Sequence, residues 1–314
     1  MSVDALQTGL FALAQAAGFL LAAPLLHALV KKMKAGLQLR QGPPLLQGYY
    51  DLAKLLRKEP VRSATASWVF VAGPRIYFAT AVTAALLVPA LVPLAPLESA
   101  GGILVLVGLL ALGRFALALA ALDTGSPFGG MGASREMTIG ALAEPALMLG
   151  LFTVGLSAGS LNLGELTRRT LERGVSAHPS ELLAAAALFI VLIAETGRVP
   201  VDNPATHLEL TMIHEAMLLE YSGPDLALVE WASAVKELMF MVLLVDLFLP
   251  LGLGWPAAGL AWAAPAWLAA KLFLLATLVV LVESTNAKLR LFRVPELMAV
   301  SLGLGFLALA IRFF

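Results

Sequence analysis

Residues 101–122 read GGILVLVGLLALGRFALALAAL, and Arg114 is the only charged residue in this stretch. About 20 consecutive apolar residues in a helix are enough to cross the hydrocarbon core of a bilayer. Seven further apolar blocks of similar length lie at about 9–30, 73–94, 138–159, 181–198, 234–253, 265–283 and 295–313. The sequence therefore predicts an all-α, polytopic integral membrane protein with about eight transmembrane helices, which form a single membrane domain over residues 1–314.

The composition supports this prediction. The chain of 314 residues is 60% hydrophobic and 13% charged, whereas soluble domains average about 45–50% apolar and about 25% charged residues. Its 21 Lys and Arg residues balance 21 Asp and Glu residues, so the basic excess that nucleic-acid binding requires is missing. The chain has no cysteine, which excludes thiolate zinc sites and thiolate-bound iron–sulfur clusters from it.

The basic residues predict an orientation, because cytoplasmic connections carry an excess of Lys and Arg. With the N-terminus outside, the inside connections hold fifteen of them. The outside connections and the C-terminus hold four, namely Arg168, Arg169, Arg173 and Arg312. We therefore expect a cytoplasmic (inner) membrane protein with both termini outside, and the basic run at 168–173 is the exception to this pattern.

The two long inside connections, at 31–72 and 196–233, would present a polar surface to soluble partners. Between Leu45 and Leu56 apolar residues recur at helical spacing with charged residues between them, and Pro60 follows. This pattern predicts an amphipathic helix that lies at the membrane interface. Such a helix either takes part in docking or serves only as an anchor.

Several ionisable residues fall inside the apolar blocks or at their ends. They are Arg114, Glu144, Glu195, Lys236, Glu237, Asp246, Lys271 and Glu283. A charge at the centre of a span costs at least ~2.5–3.5 kcal/mol, so such residues are seldom accidental. We expect Lys236 and Glu283 to reach the headgroups, whereas for Glu144, Asp246 and Lys271 we favour a role in holding and passing protons.

The most polar region runs from Glu195 to Gly223. Pro204 is expected to open a short helix there, with Asp202 or Asn203 as its cap. The helix would carry two stripes, one of Glu209, Ile213, Ala216 and Glu220 and one of His207, Thr211 and His214.

Four residues of this region, His207, Glu209, His214 and Glu215, are candidates for a metal site. Their spacing is not H-E-x-x-H, and no thiolate could complete a site, so no metal is predicted. The sequence also contains no Walker loop, dinucleotide fingerprint or G-x-S-x-G motif. We therefore expect no catalytic centre in this chain.

Several stretches of the inside connections resemble one family in order along the chain. They are Arg40-Gln-Gly-Pro-Pro44, DLAKLLRKE at 51–59, Ser134-Arg-Glu-Met137, AETGRVPVD at 194–202, Glu220-Tyr-Ser-Gly223 and residues 290–298. This set is similar to the quinone-site membrane subunit of respiratory complex I, with Ser134–Met137 matching its second inside loop. The resemblance covers nearly the whole chain and also implies eight spans.

Within this superfamily, the stretches at 212–224 and 227–231 resemble the homologous subunit of group 4 membrane-bound [NiFe]-hydrogenases, which include formate hydrogenlyase and hydrogenase-4. Two positions depart from the complex I pattern. Pro44 stands where complex I usually has Asn, and Ser233 stands where a complex I glutamate is expected, with Glu230 three residues earlier.

The resemblance implies a non-redox membrane subunit of an oxidoreductase complex. Its partners would be the hydrogenase small and large subunits on the cytoplasmic side, which carry the [NiFe] centre and iron–sulfur clusters, and antiporter-like subunits in the bilayer. The resemblance implies a proton path through Glu144, Glu195, Asp202, Glu209, Glu220 and Glu237, with Asp246 and Lys271 leading outward. It implies a docking interface of Arg40, Asp51, Lys54, Lys58, Glu59, Arg135, Glu136 and Arg198.

Two other functions stay open from the sequence. One is the quinone-site membrane subunit of a proton-pumping NADH:quinone oxidoreductase. The other is a stand-alone transporter, which the large one-sided inside surface and the lack of internal repeats disfavour.

Overall fold

The structure, a computed structural model, describes residues 3–63, 65–92, 94–203, 212–251 and 263–313. Within these residues the chain forms eight long helices and three short ones. The long helices are α1 (Val3–Leu37), α3 (Trp68–Leu87), α4 (Ile103–Asp123), α5 (Pro127–Ala158), α7 (Pro179–Glu195), α9 (Gly223–Phe248), α10 (Ala264–Thr285) and α11 (Val294–Phe313). The short ones are α2 (Gln47–Leu56), α6 (Leu163–Arg173) and α8 (His214–Leu218), and single 3-10 turns occur at Glu98–Ala100 and Leu291–Arg293.

The all-α membrane architecture is confirmed, since each predicted apolar block coincides with one of the long helices. Among the described residues, six helices are long and apolar enough to cross a membrane, namely α1, α3, α4, α5, α10 and α11. The other two long helices are α7, which has 17 residues, and α9, which carries several charged residues. The total of eight crossings therefore stays a prediction.

One expectation about the inside loops was wrong. The resemblance places residues 134–137 in a second inside loop, but they lie within α5. The helix begins earlier than the apolar block because Pro127 occupies its first turn, where a missing backbone N–H costs nothing. Arg135 and Glu136 therefore project from a rigid helix.

Helix α9 is the centre of the fold. Every side chain from Ala234 to Leu247 is buried, and the helix packs against α1, α2, α3, α7 and α10. A helix surrounded by other helices can carry charged side chains inside a membrane, provided that they meet partners. This position explains why α9 holds Lys236, Glu237 and Asp246 in a run that is otherwise apolar.

The predicted amphipathic helix is present as α2. Leu52 is its one buried residue, and Tyr49 donates a hydrogen bond to the carbonyl of Leu21 on α1. The charged side chains of Asp51 and Lys54 are exposed. The helix therefore lies against the bundle with a charged outer face.

Helix α6 was not predicted, and it accounts for the basic run at 168–173. The Asn162 side chain caps its first turn by accepting from the amides of Gly164 and Glu165. The basic side chains are locally paired: Arg168 and Arg169 bind Glu165, and Arg173 binds Glu181 at 3.0 Å. These ion pairs do not remove the run from the Lys/Arg count, so it stays the exception to the predicted orientation.

Candidate functional site

A cavity of about 450 Å³ runs from the exposed side of α2 into the bundle. Its outer wall includes the exposed residues Asp51, Lys54 and Lys58, and its inner wall includes the buried carboxylates Glu195 and Glu237. The lining combines many ionisable side chains with apolar ones such as Leu52, Ile139 and Trp231, so the cavity can hold water and ions beside its buried carboxylates. It connects the predicted docking face with the centre of α9.

One end of the cavity meets the Arg114 cluster, which consists of Arg114, Glu136, Glu144, Glu195 and Lys236. The Arg114 guanidinium contacts Glu144 and Glu195 directly and lies 3.6 Å from Glu136. Lys236 Nζ lies 2.6 Å from the other oxygen of Glu195. Three carboxylates face two cations here, so the fully ionised cluster has one excess negative charge.

Gly140 allows Arg114 to occupy this place. A Cβ atom at residue 140 would collide with the Arg114 side chain. Gly140 on α5 therefore leaves the space that the guanidinium occupies.

The Arg198 cluster forms the second group and consists of His27, Lys34, Arg198, Glu237 and Glu283. Arg198 donates to Glu237 at 2.5 Å and to Glu283 at 2.7 Å. His27 Nδ1 lies 2.9 Å from Glu237, and Lys34 Nζ lies 2.9 Å from Glu283. The formal charges of Lys34, Arg198, Glu237 and Glu283 cancel here.

The two clusters meet on α9, where Lys236 and Glu237 are consecutive. The expectation that Lys236 and Glu283 reach the headgroups was wrong. Both are buried and ion-paired. Lys236 pairs with Glu195 on α7, and Glu283 pairs with Arg198 just after α7. These ion pairs stabilise the two buried charges better than the headgroup region would.

Asp202 holds the third inside loop in place. One carboxylate oxygen lies 2.7 Å from Lys288 Nζ, and the other accepts from the backbone amides of Ile213 and His214 at 3.2 and 3.4 Å. Asp202 therefore caps the start of α8 from a position 11 to 12 residues earlier in the chain.

The predicted helix over this loop is only partly found. Residues 204–211, with His207, Glu209 and Thr211, lie outside the described part of the chain. Within the described part, Ile213 precedes α8 and Glu220 follows it, so the stripe that was to unite them on one helix was wrong. Glu220 is exposed. Among the described residues, no group of three His, Asp or Glu side chains could hold a metal ion.

Asp246 and Lys271 form a third, separate buried pair between α9 and α10. Lys271 Nζ lies 2.7 Å from Asp246 Oδ1, and both side chains are almost fully buried. Residues 238–245 separate Asp246 from Glu237 with eight buried apolar side chains, which corresponds to about 13 Å along the helix axis. No polar side chain of α9 bridges this distance.

The predicted docking residues divide into two groups. The exposed ones are Arg40, Asp51, Lys54, Lys58 and Glu59. Arg135 is half-buried and donates to the carbonyl of Met212 at 2.6 Å, while Glu136 and Arg198 belong to the two clusters. Of this second group, Glu136 lines the cavity.

The Tyr221–Gly223 segment fastens the first inside connection to the start of α9. The Tyr221 ring stacks on Phe70 with centroids 4.1 Å apart, and its hydroxyl donates to the Phe70 carbonyl at 3.1 Å. Ser222 Oγ accepts from the Val61 amide at 2.8 Å and donates to the Val61 carbonyl at 3.1 Å. Burial, and then the nearby carboxylates Asp225 and Asp123, raise the pKa of Tyr221, so it stays a donor at neutral pH.

Sequence reasoning missed two members of these clusters, His27 and Lys34. They are seven residues apart and therefore lie on one face of α1, which spacing could have shown. Their partners Glu237 and Glu283 are 210 and 249 residues away in the chain, and no local pattern could have identified them.

Comparison with known proteins agrees with this architecture. The NADH dehydrogenase family profile matches residues 10–312. Hydrogenase-4 component C of Escherichia coli (strain K12) is 37% identical over 77% of this chain and 76% of its own length. Formate hydrogenlyase subunit 4 of the same organism is 34% identical over 95% of this chain and 97% of its own length.

More distant similarities extend the same picture. An NADH-quinone oxidoreductase subunit of Anaplasma phagocytophilum (strain HZ) is 28% identical over 87% of this chain and 86% of its own length. A chain in the structure of the membrane-bound sulfane sulfur reductase, an archaeal respiratory membrane complex, has the same fold with a TM-score of 0.82 and 20% identity, covering 96% of this chain and 99% of that one. This chain therefore belongs to the NADH dehydrogenase family and is homologous to the membrane subunits of hydrogenase-4, formate hydrogenlyase and complex I.

Proposed function

We propose that this chain is the membrane subunit of a group 4 [NiFe]-hydrogenase complex of the formate hydrogenlyase type. It anchors the soluble redox arm on the cytoplasmic side of the inner membrane and couples electron transfer to the translocation of protons or sodium ions. It has no catalytic centre of its own, and the [NiFe] centre and iron–sulfur clusters belong to the partner subunits.

The similarities favour the hydrogenase branch of the family. The two hydrogenase-type relatives are 37% and 34% identical to this chain, whereas the NADH-quinone oxidoreductase relative is 28% identical. The absence of cysteine supports the placement of the iron–sulfur clusters in partners, because such clusters need thiolate ligands.

The exposed charged surface around α2 is the proposed docking site for the soluble arm. Lys54 and Lys58 lie on this surface together with Asp51 and Glu59. Mixed exposed charges suit a polar interface whose geometry is set by electrostatic complementarity. Antiporter-like subunits would pack against the lipid-facing sides of the bundle.

The observation that carries the proposal is the cavity, because it joins this surface to the buried carboxylates. A partner redox centre docked over the cavity would change its charge with each electron. With an effective dielectric constant of ~20, the Coulomb energy between one added charge and a carboxylate about 12 Å away is ~1.4 kcal/mol. This energy changes the protonation equilibrium of a carboxylate about tenfold, which is enough to drive proton uptake at turnover.

The Arg114 cluster is suited to receive that proton. It holds one carboxylate more than it has cations, so a proton neutralises an unpaired charge and leaves the other ion pairs in place. The apolar segment of α9 between Glu237 and Asp246 blocks a direct route outward along this helix. We therefore propose that the path leaves the chain laterally toward the antiporter-like subunits, and that Asp246 and Lys271 serve the outer side.

The substitution Glu195→Gln in the intact complex tests the proposal. In inverted membrane vesicles with reduced viologen as electron donor, hydrogen evolution should continue while proton translocation per hydrogen falls by about tenfold or more. Glu165→Gln on α6 is the matched control, since Glu165 pairs only with Arg168 and Arg169 away from the cavity. Unchanged translocation in Glu195→Gln would contradict the coupling role.

A quinone-reducing complex I is the second candidate, supported by the match to an NADH-quinone oxidoreductase subunit over 87% of this chain. Metal and mass analysis of the purified complex separates the two. Nickel with a [NiFe] large subunit supports the first function, whereas flavin, NADH oxidation and bound quinone support the second. Ion transport by the isolated chain in liposomes would instead favour the stand-alone transporter.

A further inference from the structure

Three polar side chains from three different helices meet in the cavity wall. Tyr77 OH on α3 lies 3.4 Å from Ser233 Oγ on α9, and Ser233 Oγ lies 3.4 Å from His214 Nε2 on α8. The Tyr77 and His214 rings are 6.4 Å apart between centroids. All three residues line the cavity.

The hydroxyl of Ser233 is bound in an unusual way for a serine in an apolar helix. Serine and threonine in such helices commonly donate to the carbonyl four residues earlier, as Ser284 does to Val280 and Thr277 does to Phe273. Ser233 Oγ instead has two side-chain partners. Its hydroxyl is therefore available to accept a proton from one neighbour and donate one to the other.

The position of Ser233 on α9 places this chain of contacts beside both clusters. Residues three and four apart share one face of a helix, so Ser233 lies one turn before Lys236 and Glu237. Tyr77 lines the same cavity as Glu195. His214 is partly exposed and lines the cavity together with the exposed Glu230, whereas Tyr77 is buried.

We propose that His214, Ser233 and Tyr77 form a hydroxyl–imidazole relay that carries protons from the outer part of the cavity to the Arg114 cluster. The inference rests on the proposed proton coupling and names the residues that feed it. Each of the three groups can both donate and accept a hydrogen bond. The outer part of the cavity is open to ions of many kinds, whereas the relay is a defined route for protons.

The transfer balances without any further reactant. A proton arrives at His214 Nδ1, and the Nε2 proton passes to Ser233 Oγ. Ser233 releases its own proton to the Tyr77 oxygen, and Tyr77 releases its proton into the part of the cavity that Glu195 lines. Each group then carries as many protons as before, and one proton has moved inward. His214 is left as the Nδ1–H tautomer and returns to the Nε2–H tautomer by proton exchange with cavity water before the next transfer.

The test uses the intact complex in inverted vesicles, with hydrogen evolution and proton translocation measured together. Ser233→Ala should lower the protons translocated per hydrogen by about tenfold or more, and Ser233→Thr, which keeps the hydroxyl, should restore them. Ser284→Ala is the control, because its hydroxyl bonds only to a backbone carbonyl on α10. His214→Ala should show the same loss, and added imidazole should reverse it.

The outcomes separate the relay from the function on which it rests. If Ser233→Ala and His214→Ala translocate normally while Glu195→Gln does not, the relay is wrong and the proposed function stands. If Glu195→Gln is also normal, both fail. Should Ser233→Ala not assemble, the His214→Ala complex decides, and a loss that imidazole does not reverse overturns the relay.

Discussion

At the scale of the residue, the Arg114 cluster depends on Gly140, because a methyl group at this position would occupy the space of the guanidinium. Arg114 is 4% exposed and binds three carboxylates from α5 and α7. Removal of one partner from such a buried group costs about 3–5 kcal/mol, because the remaining charges lose their compensation. Gly140 supplies the space that the guanidinium needs, so it belongs to the cluster although it has no functional group.

The substitution Gly140→Ala tests this dependence. Its Cβ would collide with the Arg114 guanidinium, and we expect a loss of stability of about 1–3 kcal/mol, typical of overpacking, together with weaker proton coupling. Thermal unfolding in detergent measures the first effect. Gly108→Ala on α4 is the control, since a Cβ there meets nothing within 4 Å; equal stability of the two variants would refute the packing argument.

At the scale of the element, α9 connects the docking side of the molecule with its buried charges. Its first residue, Gly223, has φ +55°, and a Cβ there would lie 3.0 Å from the carbonyl oxygens of Lys58 and Glu59. Asp225 in the first turn binds Arg62 at 2.9 Å and Arg75 at 3.3 Å. These contacts attach residues 58–62 to the start of the helix that carries Lys236 and Glu237.

The substitution Gly223→Ala should detach that connection. We expect faster trypsin cleavage after Lys58 and Arg62 and weaker retention of the soluble subunits on the membrane, because the added methyl group pushes the backbone of residues 58–59 away. Gly174→Ala is a matched control with φ +79° and open space around the added Cβ. If both variants are cleaved alike, backbone strain rather than the contact with residues 58–59 is responsible.

The helices themselves were largely predictable from the sequence, whereas the ion pairs between them were not. Apolar length predicted all eight long helices, and helical spacing predicted α2, because both signals are local. Helix α6 was missed, since its capping by Asn162 occurs in a polar stretch with no apolar block. The pairs Arg114–Glu195 and Arg198–Glu283 join residues 81 and 85 positions apart, and only packing of α4, α7 and α10 could reveal them.

At the scale of the whole molecule, the orientation is the property that ties the proposed roles together. The proposed function requires that the docking surface around Lys58 faces the cytoplasm and that α6 faces the opposite side. The basic run of Arg168, Arg169 and Arg173 on α6 is the observation against this orientation, because the bias counts Lys and Arg whether or not they are paired.

The absence of cysteine makes the orientation directly measurable. Single variants Lys58→Cys and Arg168→Cys should react with a membrane-impermeant maleimide from opposite sides. We expect Arg168→Cys to be labelled in intact spheroplasts, and Lys58→Cys only in inverted vesicles. The reverse pattern would place the termini inside and would remove the soluble arm from the proposed docking surface.

The apolar segment Leu238–Val245 has a consequence for how the transmembrane voltage acts on this subunit. In the proposed orientation the charged cavity opens to the cytoplasm and is a high-dielectric region, so little of the electrical potential would fall across it. Most of the potential falls across the low-dielectric layer beyond Glu237, at ~2.3 kcal/mol per elementary charge per 100 mV. The redox-linked protonation of the two clusters would then be nearly insensitive to the membrane voltage, while the work against that voltage is done farther along the complex.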